Sequence, residues 1–286
     1  MTNCVSCGRP AVLLIHEQAL PCKLAVYRCR NCAIDFFSDA AHSDYWDTPM
    51  QDSIYADGAV ADERAAFFRS LLARLSALCP GRSMLDVGAG RGEFCVEALN
   101  AGYDVSALEP SEKAAAGLRE RGVSEVYNCT LEQLAPSRRY DAVAMLDVLE
   151  HLTDPLAAVR KAASCLNPGG VLIVLTPDGG SFARKAILNA ARAYRPLECL
   201  LKYQYYLPHL CYVGETALRA CAGNAGLHVV RVEKSATPKR FLLSKLACHY
   251  AKYPGNRLVC RGVSLLYPAL RTLFRNKITV FMRKPT

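Results

Sequence analysis

The stretch SMLDVGAGRGEFCVEALNAGYDVSALE, residues 83–109, decides the fold of this 286-residue chain. An apolar run is followed by glycines at 88, 90 and 92, then by a helical pattern and a second apolar run that ends at Glu109. Glycines let the backbone turn sharply from a strand into a helix and approach a ligand more closely than a Cβ would allow. A carboxylate at the tip of the second strand can accept hydrogen bonds from a ribose. The stretch therefore predicts a nucleotide-cofactor site.

The glycine spacing distinguishes two classes of cofactor. A dinucleotide fingerprint, G-x-G-x-x-G, needs its third glycine at position 93, where this sequence has Glu93. The spacing is G-x-G-x-G instead, and Asp86 precedes it by two residues. On the first turn of a helix a carboxylate would repel a pyrophosphate, but it would not repel a ligand that carries a sulfonium and an ammonium group. A nicotinamide-dependent dehydrogenase stays as an alternative.

At this point the residues resemble the class I S-adenosylmethionine (SAM) dependent methyltransferases, whose first motif has this glycine spacing. Residues 140–176 look like the family's region from the fourth strand through the L-x-P-G-G turn to the fifth strand. Residues 209–230 look like its H-L-x7-L helix, which leads into strand six. The resemblance covers roughly residues 59–232 and a last strand near 278–282. The core is similar to methyltransferase types 11, 12 and 23 and to ubiquinone-pathway O-methyltransferases.

The pattern of apolar residues agrees with an α/β fold. A helix is predicted over residues 59–78, where leucines and a phenylalanine recur at helical spacing. Short apolar runs then alternate with helical patterns, which is typical of a parallel sheet with helices on both faces. The resemblance implies a doubly wound sheet of seven strands, six parallel and the last antiparallel at that edge. The strands are predicted at 83–87, 104–108, 125–128, 141–146, 171–175, 228–232 and 278–282.

Four of the 14 cysteines form two C-x-x-C pairs near the amino terminus, Cys4 with Cys7 and Cys29 with Cys32. Two residues between cysteines let a tight turn direct both thiolates at one ion, and two such pairs complete a tetrahedron. Four thiolates leave no open position on the ion, so we predict a structural zinc ribbon over residues 1–37. A redox dithiol and unliganded thiols are the alternatives. The other ten cysteines are predicted to be single, mostly buried thiols.

Three segments are predicted to follow one another along the chain. After the ribbon, residues 38–58 are acidic and aromatic and form a linker or a lid over the cofactor. Residues 59–286 form the methyltransferase domain. Within it, the insertions 178–208 and 234–276 are basic and contain several tyrosines, and we predict that they build the acceptor pocket.

The cofactor residues follow from the resemblance and from their positions at the carboxyl ends of strands. Gly88 and Gly90 are expected to approach the methionine part, and Glu109 to bind the ribose hydroxyls. Backbone groups of residues 129–131 would contact the adenine, because the family's usual aspartate is absent there. Arg64 is a candidate partner for the cofactor carboxylate, with a solvated helix face as the alternative. The predicted cofactor residues are Asp86, Gly88, Ala89, Gly90, Gly92, Glu109, Cys129, Thr130, Leu131 and Asp147.

Methyl transfer requires a base only if the acceptor must lose a proton, as a hydroxyl must. His151, in LDVLEHL after the fourth strand, is the first candidate base, and His209 is the second. Asp147, Glu150 and His151 stand at i, i+3 and i+4, so one helical turn would place them on the same side. Their pattern resembles the E-V-L-E-H stretch of ubiquinone-pathway O-methyltransferases, which suggests a divalent-cation site as a further interpretation. Structural roles for these residues are the alternatives.

Composition and charge limit the partners. The formal net charge of +9 favours an anionic partner such as a phosphate-bearing acceptor, an anionic membrane surface or RNA. No apolar run reaches the roughly 18 residues that a membrane span needs, and the amino terminus does not resemble a signal peptide, so a cytoplasmic protein is expected. We predict SAM-dependent O-methylation of a small-molecule, glycan or lipid-linked acceptor. An RNA methyltransferase and a nonenzymatic zinc and nucleotide-binding module are the alternatives.

Overall fold

A computed structural model describes residues 2–20, 22–38, 58–135, 138–205, 209–249, 255–273 and 275–286. Its centre is a seven-stranded sheet. The strands are β4 (Ser83–Val87), β5 (Asp104–Leu108), β6 (Glu125–Tyr127), β7 (Tyr140–Leu146), β8 (Leu166–Pro177), β10 (His228–Ser235) and β11 (Lys277–Arg283). They lie in the order β10-β11-β8-β7-β4-β5-β6. Six strands point the same way and β11 is antiparallel to both of its neighbours, which confirms the fold class. The last strand lies one position inside the edge, because β10 pairs with its outer side.

Helices cover both faces of this sheet. They are α1 (Gly58–Leu78), α2 (Glu93–Asn100), α3 (Glu112–Glu120), α4 (Pro155–Ser164), α5 (Phe182–Ala193), α6 (Glu215–Asn224), α7 (Lys239–His249) and α8 (Asn256–Leu273). Single 3-10 segments occupy Glu17–Ala19, Leu149–His151 and Arg195–Tyr203. Buried side chains form one hydrophobic cluster on each face of the sheet. Among the described residues, none of the helices is both long and apolar enough to cross a lipid bilayer.

The register of the three central strands places the site. Val87 at the end of β4 pairs with Leu108 at the end of β5 and with Met145 near the end of β7. The chain leaves β4 towards β5 on one side, and β7 lies on the other side. This is the topological switch point where open α/β sheets bind their ligands. The glycine loop, Glu109 and Asp147 therefore meet at one edge of the sheet.

The amino-terminal residues form three strands of a second, four-stranded sheet. Strands β1 (Ala11–Ile15), β2 (Val26–Cys29) and β3 (Asp35–Phe37) are antiparallel neighbours. A fourth strand, β9 (Cys211–Tyr212), comes from the methyltransferase region and pairs with β3 through Asp35–Tyr212 and Phe36–Cys211. The sequence did not predict this pairing.

The described residues of both predicted insertions are mainly helical. The first contains α5 and Arg195–Tyr203, and it packs on the ribbon in a third hydrophobic cluster. The second contains α7 and α8, which pack on each other, and α7 also packs on α1. Most of the predicted linker or lid, residues 39–57, lies outside the described residues, and the domain boundaries stay predictions.

Candidate active site and metal centre

The glycine loop between β4 and α2 has a left-handed backbone at all three glycines, with φ of 68°, 54° and 78° at Gly88, Gly90 and Gly92. A Cβ on Gly88 would lie 2.6 Å from Cγ2 of Val148, and one on Gly92 would lie 2.6 Å from Cδ2 of Leu118. At Gly90 no atom of the described residues lies within 4 Å of that point. Packing on Val148 thus requires a glycine at position 88, whereas at Gly92 only the end of the Leu118 side chain would have to shift. The middle glycine faces open space that a Cβ would fill. This is the form of a backbone cradle for a ligand.

Glu109 closes the cradle from the neighbouring strand. Its carboxylate accepts hydrogen bonds from the backbone N–H of Gly90 (2.7 Å) and of Ser111 (2.9 Å). Asn128 donates its side-chain N–H to the Glu109 carbonyl at 2.8 Å and fixes the next loop. These two bonds fix the orientation of the Glu109 carboxylate beside the glycine loop.

Asp86 and Arg64 hold the loop from behind. Asp86 is buried and accepts a hydrogen bond from the Cys95 thiol at 3.1 Å, which ties β4 to α2. Burial, reinforced by the nearby Glu109 charge, raises the pKa of Asp86 to about 7. Arg64 forms an ion pair with Glu93 at 2.5 Å on the first turn of α2. The structure therefore gives Arg64 a protein partner where the sequence suggested the cofactor carboxylate.

The predicted adenine contacts follow β6. The Thr130 N–H donates to the side-chain carbonyl of Gln133 at 3.0 Å, and the Gln133 N–H returns a 3.4 Å bond to the Thr130 hydroxyl. Leu131 is buried, and Cys129 is half-buried against the core. Because the Thr130 amide already has an acceptor, Cys129 and Leu131 are the better candidates for backbone contact with a base.

Asp147 begins the segment that covers the glycine loop. It has a positive φ of 57°, which is unusual for a residue with a side chain and costs on the order of 1–3 kcal/mol. Burial opposes ionisation of its carboxyl, but the ammonium groups of Lys277 and Lys245 hold its pKa below the usual value. Lys277 forms an ion pair with it. This contact joins the end of β7 to the start of β11.

Glu150 points into the protein instead. It is 1% exposed and accepts a hydrogen bond from the Thr176 hydroxyl at 2.8 Å. Burial and the charge of Asp147 raise its pKa to about 7. Asp147 and Glu150 thus face different partners, because Leu149–His151 is a single 3-10 turn and not part of an α-helix.

The two candidate bases lie against each other. The imidazoles of His151 and His209 meet edge to face, with ring centroids 4.9 Å apart. His209 is buried, and burial together with the neighbouring His151 lowers its pKa well below the usual value. His151 is only half-buried, so it is the imidazole that a substrate can reach. Ligand atoms of Glu150, His151 and His209 lie within 4.8 Å of one another, which replaces the predicted grouping of Asp147, Glu150 and His151.

A buried network behind His209 was not predicted from the sequence. The Arg184 guanidinium lies over the rings of Tyr212, at 4.0 Å, and Tyr205, at 4.5 Å. The Tyr205 hydroxyl donates to Asp35 of the ribbon at 3.2 Å, and the His209 and Tyr212 rings are 5.5 Å apart. The tyrosine-rich insertion was the only sequence signal. Its partner Asp35 lies far away in the chain and carries no motif.

The four ribbon cysteines come together as their spacing predicted. Their sulfur atoms all lie within 4.8 Å of one another, with Cys4 and Cys32 at 3.5 Å and Cys7 and Cys29 at 3.5 Å. Four sulfurs at about 2.3 Å from a zinc ion would be nearly 4 Å apart, so the cluster fits the ion. Hydrogen bonds from the Arg9 backbone and the neighbouring thiols outweigh burial and lower the pKa of Cys7 to about 7, whereas burial raises the pKa of Cys4 and of Cys32.

Comparison with known proteins agrees with this geometry. A family model described as a methyltransferase domain matches residues 60–232. The ubiquinone biosynthesis O-methyltransferase of Bradyrhizobium sp. (strain ORS 278) is 39% identical over 101 residues, which are 34% of this chain and 40% of that protein. The corresponding protein of Bordetella avium (strain 197N) is 37% identical over 97 residues, 32% of this chain and 40% of its own. The chain thus matches less than half the length of these curated relatives.

Solved structures show the same fold. Magnesium protoporphyrin IX methyltransferase from Synechocystis PCC 6803 with bound SAM has a TM-score of 0.53 and 18% identity, covering 86% of this chain and all of that one. The [4+2]-cyclase SpnF has a TM-score of 0.54 and 19% identity, covering 76% of this chain and 80% of that one. At these identities the likeness concerns the fold alone.

Proposed function

This chain belongs to the class I SAM-dependent methyltransferase family, and on that premise we propose that it transfers the methyl group of SAM to a hydroxyl of a small-molecule, glycan or lipid-linked acceptor. The observation that carries the proposal is the contact between His151 and His209 beside the glycine loop. The segment with His151 packs on that loop through Val148 at Gly88. A base held there is adjacent to the methyl donor.

The donor would be held by the cradle already described. The open face of Gly90 admits the methionine part, and Glu109 binds the ribose. Bound SAM supplies a methyl group on a sulfonium, which is a strong leaving group. The protein's task is therefore to place an acceptor oxygen in line with that group and to exclude water.

A hydroxyl acceptor has to lose its proton during transfer, and His151 is the residue we assign to take it. His209 packs edge-on against this imidazole and orients it. Because burial keeps His209 neutral, it places no positive charge beside His151. A carboxylate oxygen of Glu150 lies within 4.8 Å of a ring nitrogen of each histidine. These three side chains also offer ligands to a divalent cation, which would then activate the acceptor in place of the base.

We also propose that Cys4, Cys7, Cys29 and Cys32 bind one structural zinc ion. The closed set of four sulfurs supports this assignment, because a four-thiolate shell has no position for a substrate.

Cofactor binding is tested by calorimetry with purified protein and SAM. The variant Glu109→Gln loses the charge that strengthens the ribose hydrogen bonds, so the Kd should rise about 10- to 100-fold. Glu112→Gln, an exposed carboxylate at the start of α3, serves as the matched control and should bind like wild type. No heat from wild-type protein, or equal affinity in both variants, would refute the assigned cofactor site.

The acceptor is tested by methyl transfer from labelled SAM into a fractionated lysate, with and without ribonuclease. Label in a ribonuclease-resistant small molecule, glycan or lipid is expected, and loss of the signal after ribonuclease would show an RNA acceptor instead. With the isolated acceptor, His151→Gln should lower kcat by about 100- to 10,000-fold and remove the acidic limb of the pH–rate profile, where the rate rises as the base loses its proton. If turnover depended on added Mg²⁺ while the zinc content stayed constant, His151 would be assigned to a cation site instead.

A further inference from the structure

The second insertion, residues 234–276, has a one-sided charge. It contains nine Lys and Arg and no Asp or Glu. The whole chain has 35 Lys and Arg against 26 Asp and Glu, so removing these nine leaves 26 of each sign. The entire net charge of +9 therefore comes from 43 consecutive residues, and the rest of the protein is balanced.

The outer face of α8 is apolar, which is unusual for a helix exposed to water. Leu258, Gly262, Leu265 and Ala269 stand at i, i+4, i+7 and i+11, so they form one stripe along the helix. Leu258 is 72% exposed, Leu265 is 80% exposed, and the adjacent Leu266 is 59% exposed. Isolated exposed leucines are common, but three on one helical face form a patch that marks an interaction site.

The opposite face of α8 is fixed to the protein. The Tyr267 hydroxyl donates to the carbonyl of Thr237 at 2.7 Å, and the Asn256 side chain donates to the carbonyl of Leu246 at 3.0 Å. The leucine stripe therefore cannot turn inward to join the core without breaking these bonds. It is a rigidly presented outer surface.

Cations border the stripe. Arg257, Arg261 and Arg271 are exposed on α8 itself. At the end of the helix, Arg271, Arg275 and Lys234 line a groove of about 470 Å³, together with the hydroxyl-bearing Thr272 and Tyr267. The two guanidinium groups give this groove the charge and the hydrogen-bond donors to receive a phosphate group, whereas both hydroxyls already donate within the protein.

We propose that α8 is an interfacial helix that docks this protein on an anionic lipid bilayer, with its leucines in the acyl boundary and its arginines at the phosphate headgroups. The leucine stripe and the arginines beside it together favour a bilayer over RNA. RNA would pair with the arginines but would gain nothing from three exposed leucines, whereas interfacial helices combine an apolar stripe with flanking cations. The surface goes beyond the proposed methyl transfer and depends only on charge, exposure and helix geometry.

Docking by α8 would also place the active site close to the bilayer. Phe241 of α7 lies 5.4 Å from the Arg64 guanidinium, which pairs with Glu93 at the glycine loop. Lys245 of the same helix acts electrostatically on Asp147. The insertion therefore covers the catalytic edge of the sheet with its inner side, while its outer side carries the leucine stripe.

Co-sedimentation of the full-length protein with vesicles tests this surface. Phosphatidylcholine vesicles with about 30% phosphatidylglycerol should bind the protein, and pure phosphatidylcholine should bind it weakly, because each cation contributes at the anionic surface. The combined variant Arg257→Gln, Arg261→Gln and Arg271→Gln should bind about 100-fold more weakly. The combined variant Leu258→Ser, Leu265→Ser and Leu266→Ser should lose at least about tenfold.

A matched control removes three exposed cations elsewhere: Lys113→Gln, Arg119→Gln and Arg160→Gln should bind vesicles like wild type. Unchanged SAM affinity and urea unfolding in every variant would show that folding is retained. Absence of sedimentation with anionic vesicles, or a leucine variant that binds as tightly as wild type, would overturn the proposal. A different result would assign this face to nucleic acid. In that case the protein would bind an RNA oligonucleotide, only the arginine variant would release it, and the leucine variant would still bind vesicles.

Discussion

Single residues in the glycine loop differ in what a side chain would cost. At Gly88 an alanine would combine a left-handed backbone with a 2.6 Å contact to Val148. At Gly90 it would combine a left-handed backbone with open space. The fold therefore constrains Gly88, while we propose that Gly90 serves the ligand.

We expect Gly90→Ala to lower the free energy of unfolding by only about 1–2 kcal/mol, the cost of a left-handed alanine, and yet to abolish measurable SAM binding. Gly88→Ala should lose about 3 kcal/mol or more, since overpacking is added. The double variant Gly88→Ala, Val148→Ala should regain only the part of the free energy of unfolding that overpacking had cost. Urea unfolding and calorimetry measure both effects. Tight SAM binding by Gly90→Ala would show that the ligand does not use this open face.

Asp86 makes stability depend on pH. Burial raises its folded-state pKa to about 7, above the unfolded value of 3.8. A raised pKa means that the folded state retains a proton which the unfolded state has lost. The stability that this proton contributes to the folded state is fully present below about pH 4, and it is lost as the pH rises through about 7.

The variant Asp86→Asn cannot ionise at this position. We therefore expect its free energy of unfolding to increase by about 3 kcal/mol relative to that of wild type when the pH is raised from 5 to 8. Urea unfolding of both proteins without ligand at the two pH values gives the difference. Glu112→Gln is again the control, because that carboxylate is exposed. A constant difference between wild type and Asp86→Asn at both pH values would mean that the buried carboxyl ionises normally.

Among the elements, the short strand β9 connects the proposed zinc cluster to the candidate active site. It pairs with β3 of the ribbon, and His209 stands two residues before it. The Leu210 N–H also donates to the Glu150 carbonyl at 2.7 Å. Loss of the metal should therefore displace His209 while the glycine loop, on other elements, keeps its form.

Cys29→Ser should lose the bound zinc, reduce acceptor turnover by about 100-fold and leave the SAM Kd nearly unchanged, because small displacements of catalytic groups are costly. Cys22→Ser removes a ribbon thiol that is not in the cluster and should retain both zinc and activity. Elemental analysis, turnover and calorimetry separate the three quantities. Full turnover in a zinc-deficient Cys29→Ser protein would disconnect the ribbon from catalysis.

The sequence was sufficient for elements that carry a local pattern. The strands at 83–87 and 104–108 were predicted to the residue, because an apolar run between turn residues fixes both ends. Strand β8 begins earlier than expected, at Leu166, since the L-x-P-G-G turn itself pairs with β7. The two-residue β9 has no periodicity to detect, and tertiary pairing alone defines it. The contact of His151 with His209 could not be predicted for the same reason.

At the scale of the whole molecule, the ribbon and the first insertion form one structural unit. Their shared cluster joins Leu14 and Val26 of the ribbon to Leu188, Leu201 and Tyr205 of the insertion. A ribbon of about 35 residues buries too little apolar surface to fold alone, so we expect this contact and the proposed zinc ion to stabilise it together. The insertion in turn covers its apolar side with the ribbon. Neither part is expected to stay folded without the other.

Hydrogen exchange of the full chain before and after zinc removal tests this coupling. Amides of residues 2–37 should lose protection, and those of 182–205 and 210–212 should lose it with them, because their common core is disrupted. Amides of β4, β5 and β7 should be unchanged, since the hydrophobic cluster that holds one face of these strands contains no ribbon residue. The Cys22→Ser protein, with its zinc retained, provides the reference for nonspecific effects. Increased exchange confined to residues 2–37 would show that the insertion folds without the ribbon, and that the metal stabilises its own module alone.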